Sequence, residues 1–65
     1  MKATFILTND SGKQVRASAT EVANHRDACN RARVWASSQT DILWDACTVE
    51  IPDLDYIAEV YLEAA

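Results

Sequence analysis

Between residues 2 and 8 the chain runs Lys-Ala-Thr-Phe-Ile-Leu-Thr, with Ala3, Phe5 and Leu7 on one parity and Thr4, Ile6 and Thr8 on the other. Period-two alternation rich in β-branched and aromatic residues predicts a strand. Asn9-Asp10-Ser11-Gly12 gathers residues that tolerate turn geometry, so a hairpin is expected there. The returning segment alternates Val15, Ala17 and Ala19 with Gln14, Arg16 and Ser18, the pattern of a half-buried second strand.

The hydrophobic period then lengthens. Val22, His25, Cys29, Ala32 and Ala36 recur at helical spacing, widened by Ala28 and Trp35, and predict an amphipathic helix with Asn24, Asp27, Asn30, Arg31 and Arg33 outside. Ser18 with Glu21 at capping-box spacing, or Thr20 alone, would start it. After the polar Ser37-Ser38-Gln39-Thr40 connection, Leu43, Cys47, Val49 and Ile51 alternate with Trp44, Ala46, Thr48 and Glu50, which predicts a third strand. Asp45 falls on the apolar parity and places the first residues of that strand at a sheet edge or bulge. Pro52 ends the strand, and Asp53 is a natural N-cap for a last helix with Leu54, Ile57, Tyr61 and Ala64 facing inward. The expected architecture is one α+β domain over residues 1–65: two layers in the order ββαβα, with a three-stranded antiparallel sheet of order 2-1-3 under two helices.

Composition agrees with a compact fold, since 49% of the 65 residues are hydrophobic and there is one Gly and one Pro. The opening MKATFILTND has too short an apolar run for a signal peptide or a membrane span, so a cytoplasmic protein that does not engage membranes is expected. Cys29 and Cys47 are too few for a disulfide framework and lack the paired spacing of a zinc site. Buried reduced thiols are the expectation, with a bridge between the two as the alternative; no metal or cofactor is expected.

Charge changes the picture more. All six basic residues (Lys2, Lys13, Arg16, Arg26, Arg31, Arg33) lie in the first 33 positions against three acidic ones, a net +3, whereas residues 34–65 carry seven carboxylates and no Lys or Arg, a net −7. A one-signed block of this size attracts basic proteins and repels nucleic acid, so direct DNA or RNA binding is disfavoured. In the expected last helix, Asp55, Glu59 and Glu63 stand at i, i+4 and i+8 and would form one exposed stripe, an arrangement that costs a helix a few tenths of a kcal/mol per like-charged pair. A solvated face that keeps the protein soluble would account for it, as would a row of negative charges imitating backbone phosphates toward a basic partner. Asp53, Glu50, Asp45 and Asp41 would extend the row, and Tyr56 and Leu62 would flank it as apolar anchors.

Candidates for catalysis are sparse. His25 is the single histidine and sits at the edge of the helical stripe, no nucleophile motif accompanies it, and one Gly excludes a phosphate-cradling loop. A binding protein rather than an enzyme is expected, with the monomer favoured. Trp44 either packs beneath a helix or stays partly exposed as an anchor; a small core favours packing. Arg26, Arg31 and Arg33 are most simply a solvated helix face.

The MKATFILT opening strand, the VRASATEVANHRDACNRARVWASSQ strand-to-helix unit, the VEIPD strand end and the acidic last segment together resemble small anti-CRISPR proteins of phages and mobile elements. The resemblance implies an inhibitor of a type I CRISPR surveillance complex, type I-C among the subtypes considered. It would keep target DNA or its protospacer-adjacent motif from being recognised, by pairing Asp41, Asp45, Glu50, Asp53, Asp55, Glu59 and Glu63 with Lys and Arg of a DNA-binding subunit. A small regulatory or assembly module that binds another protein through the hairpin edge or Trp44 is the alternative.

Overall fold

In the computed structural model, which describes residues 1–62, the chain forms β1 (Lys2–Thr8), β2 (Gln14–Glu21), α1 (His25–Ser37), β3 (Ala46–Ile51), a single 3-10 turn (Pro52–Leu54) and β4 (Tyr56–Val60). The four strands make one antiparallel sheet of order β2-β1-β3-β4, and α1 packs on one face of it against β1, β3 and β4. The architecture is therefore ββαββ with one helix, which corrects the expected three-stranded ββαβα domain with two helices. The segment expected as the last helix is a strand instead, and Ala64 of its expected inward face lies outside the described residues.

Local chemistry explains the correction. Pro52 breaks the β3 ladder, and the turn that follows closes through the Asp55 amide donating to the Pro52 carbonyl at 3.0 Å. Asp55 takes a left-handed backbone, φ 49° and ψ 42°, which reverses the chain rather than continuing a helix. Tyr56-Ile57-Ala58-Glu59-Val60 can then alternate along β3, with Ile51 opposite Tyr56 and Cys47 opposite Val60. A helix here would be about three turns with like charges stacked along it, marginal on its own; strand pairing also satisfies the outer backbone groups of β3. The two geometries give opposite responses at Asp55. Asp55→Gly is expected to leave stability unchanged or raise it by up to about 0.5 kcal/mol, and Asp55→Val to lower it by about 1–2 kcal/mol, because a β-branched side chain is strained at positive φ. In a helix Gly would be the harmful substitution; urea unfolding of both variants distinguishes the cases.

The β1–β2 hairpin forms where expected. The Asn9 side-chain oxygen accepts from the Ser11 amide, the Ser11 hydroxyl and the Lys13 amide at 3.1, 2.8 and 2.9 Å, and Gly12 supplies the positive φ of 81°. Register shifts between Leu7 and Thr8, so Val15 is bulged out of the pairing. Ala3, Phe5 and Leu7 then share the helix side of the sheet with Thr20, Ser18 and Arg16, their register partners. The expected inward set Val15, Ala17 and Ala19 is exposed: β2 is an edge strand, and on its helix-side face Arg16 is fastened to the loop after α1.

Strand β2 also runs on to Glu21, since β1 offers partners out to the Lys2–Glu21 pair. The helix consequently starts later than Ser18 or Thr20 would set it. Asn24 is the N-cap, accepting from the Asp27 amide at 2.9 Å, and Asp27 reciprocates by accepting from the Ala23 amide at 2.9 Å. Asp27 also receives Arg31 at 3.1 Å, an i, i+4 pair along the helix. Ala28, Ala32 and Ala36 line the buried stripe, small enough to bring the helix close over Phe5, Leu7, Cys47, Val49, Ile51 and Val60. Trp35 stacks at a tilt on Phe5 with ring centroids 5.9 Å apart. His25 is exposed rather than at the core, its ring 5.6 Å from that of Tyr56.

Candidate functional site

The helix covers one face of the sheet and leaves the other open. Register places Ala17, Ile6, Thr48 and Glu59 in one row of the open face, and Ala19, Thr4, Glu50 and Ile57 in the next. Glu50 and Glu59 are thus diagonal neighbours on adjacent strands, roughly 7–8 Å apart at Cα by ordinary sheet spacing. The ion pairs among the described residues join the Met1 amino group to Glu21, Arg16 to Asp41 and Arg31 to Asp27, so neither Glu50 nor Glu59 is neutralised in this way. The other members of the two rows are Thr, Ala and Ile side chains, of which Ile57 is 70% exposed. The open face of β3 and β4 is consequently acidic with an apolar element beside it. Arg26, Arg31 and Arg33 are exposed on α1, in the layer on the opposite side of the sheet.

The carboxylates expected as a single row are divided among four places. Glu50 and Glu59 come together on the open face. Asp45 shares a shallow hollow with Glu59, lined also by Trp44, Ala46, Val60, Tyr61 and Leu62. Asp53 and Asp55 occupy the β3–β4 turn at the far end of the hairpin. Asp41 lies toward the opposite edge, where its carboxylate accepts from both terminal nitrogens of Arg16 at 2.9 and 3.0 Å and is held below the usual carboxylate range by that bond. Glu63 lies outside the described residues. No stripe at i, i+4 and i+8 exists for Asp55 and Glu59, because they belong to a turn and a strand.

Tyr56, expected as an exposed anchor, is half-buried on the helix side. Its hydroxyl meets the Cys29 sulfur at 3.8 Å, and this contact, with burial, raises its pKa above the usual phenol value. Trp44 is half-buried: it packs against the core and donates its indole N–H to the Gln39 carbonyl at 3.2 Å, yet also lines two surface hollows, so it combines both alternatives. The residue that the sequence pattern missed is its neighbour. Leu43, expected on the inward parity of the third strand, projects from the loop before β3 and is 93% exposed. The parity conflict at Asp45 was the available signal, since β3 starts only at Ala46 and the Asp45 amide donates to Thr8 at 2.7 Å.

Both cysteines are free thiols. Cys47 is fully buried, and burial with the neighbouring Cys29 thiol pushes it from 9.0 up to about 11. The unfolded thiol ionises near pH 9, the folded one two units higher, so stability from this group is complete below pH 9 and is lost as pH rises toward 11. A loss of about 1–2 kcal/mol over that window, absent in Cys47→Ala, is expected in urea titrations at successive pH values.

Among the described residues no three His, Cys, Asp or Glu side chains are grouped to hold a metal ion, and no helix is long and apolar enough to cross a membrane. No protein-family model matches the chain, and neither a curated protein nor a solved structure matches it significantly.

Proposed function

We propose that this chain is a binding protein that docks the acidic open face of β3 and β4 on a basic, DNA-binding surface of a larger protein complex. The observation that carries the reading is the pair Glu50 and Glu59, adjacent on an uncovered sheet face and outside every ion pair among the described residues. Two uncompensated like charges held side by side are unfavourable in the free protein and are relieved by cations from a partner. The resemblance of the sequence to anti-CRISPR proteins makes the partner a type I CRISPR surveillance complex, and occupation of its DNA-binding surface makes the chain an inhibitor. The test is a gel-shift measurement with a purified type I complex and its target duplex. Near-stoichiometric loss of DNA binding, weakening steeply as salt rises, supports the reading; unaffected DNA binding across type I subtypes rejects it.

One observation favours a second reading. Strand β4 is a sheet edge carrying exposed Ile57, followed by Tyr61 at 73% exposure, which suits an assembly module that adds a partner strand to its sheet. Binding of that kind would be indifferent to salt.

A further inference from the structure

We propose that Leu43 is an apolar anchor, presented by a pre-shaped loop, that inserts into an apolar pocket rimmed by Lys or Arg on the partner protein. This rests on the binding reading above and assigns it a central contact that the carboxylates alone do not supply.

The loop between α1 and β3 is short of regular structure but not of restraints. Arg16 on β2 reaches across to it, donating to the Gln39 side-chain oxygen at 2.6 Å and forming a two-pronged bond with Asp41. Trp44 donates to the Gln39 carbonyl, and the Asp45 amide donates to Thr8 of β1. Ile42 and Trp44 pack against the core. With the residues on both sides of it packed against the core, Leu43 is left facing water. Its exposure of 93% is the highest among the large hydrophobic residues described.

A leucine fixed in this way has already lost much of the backbone freedom that binding would otherwise remove, which is the property that makes a small contact effective. Charge defines what covers it. Leu43 and Trp44 border a hollow with Asn9, Asp10 and Asp45, and neither Asp10 nor Asp45 takes part in an ion pair among the described residues. An apolar tip sharing a hollow with two carboxylates outside every ion pair among the described residues complements a pocket whose floor is apolar and whose rim is cationic. A symmetric contact with a second copy of the chain does not suit it, since that would bring Asp10 and Asp45 against their own kind.

The experiment compares wild type, Leu43→Ser and Val34→Ser for binding to an immobilised type I surveillance complex, with circular dichroism melts of each. Val34 is the control, 71% exposed but on α1. All three should melt alike, since both substituted side chains are in water. Leu43→Ser is expected to bind about 10- to 100-fold more weakly, the range that follows from burying one leucine, and Val34→Ser to bind as wild type. Wild-type affinity in Leu43→Ser overturns the anchor and leaves the binding reading intact. Equal weakening by both substitutions also overturns it, as a generic loss of apolar surface. Absence of binding by the wild-type chain overturns the reading and the anchor together.

Discussion

Leu7→Ala should abolish or nearly abolish cooperative folding. Leu7 is fully buried on the central strand β1, with Arg16 and Cys47 as its register partners, and is among the largest side chains completely removed from water. Truncating a buried leucine costs about 2–5 kcal/mol, part transfer and part unfilled cavity. A domain of this size has roughly 3–10 kcal/mol in total, and the alanines on the helix stripe leave few bulky neighbours to collapse into the space. A thermal melt should therefore show a midpoint lowered by more than about 10 °C or no sigmoidal transition. Ile6→Ala, on the same strand but on the open face, should cost only about 1 kcal/mol, since its side chain is half-buried. Equal effects of the two would mean that the open face is not open.

The second large effect concerns binding. If the proposed docking holds, reversing both charges in Glu50→Lys/Glu59→Lys should weaken association with a type I surveillance complex by about 2–4 kcal/mol, roughly thirty- to a thousandfold in Kd, because two attractive contacts would become repulsive against a basic surface. Folding should be unaffected or slightly improved, as the diagonal repulsion between the two carboxylates becomes one between two longer, more mobile ammonium groups. Glu50→Gln/Glu59→Gln should fall between, with a shallower salt dependence than wild type. Unchanged affinity in the reversed protein would remove the acidic face from consideration and turn attention to the β4 edge.

The two experiments bear on parts of the molecule that differ in how legible they were. Strand β1, its hairpin and the buried end of β3 followed from alternation because Phe5, Leu7, Val49 and Ile51 are large and β-favouring. Strand β4 was obscured by a coincidence of spacing. Leu54, Ile57 and Tyr61 fit a helical period, whereas the set that is turned inward, Tyr56, Ala58 and Val60, contains a single aliphatic residue of any size. What decides between the two periods is the left-handed Asp55 and the need of β3 for a partner, neither of which is written in residues 56–60. The start of α1 was hidden in the same way: Ser18, Thr20 and Glu21 are competent cap residues, but β1 holds them in a strand and passes the role to Asn24 and Asp27. For the site, the excess of carboxylates was plain from composition. Their grouping was not, because the neighbour relation of Glu50 and Glu59 exists only through the β3–β4 register.

The strand order also fixes how the chain can assemble. Both outer pairings are closed by short connections, residues 9–13 and 52–55, and such ribbons form in microseconds. The central seam is different: even its nearest partners, Thr8 and Ala46, lie 38 positions apart. The slow step of folding is then the meeting of two ribbons, with the helix tethered between them and the cost of closing one long loop to be met. Side chains along that seam, such as Phe5 and Val49, govern how fast the native state is reached. Contacts completed only after the ribbons have met are expected to govern how long it lasts.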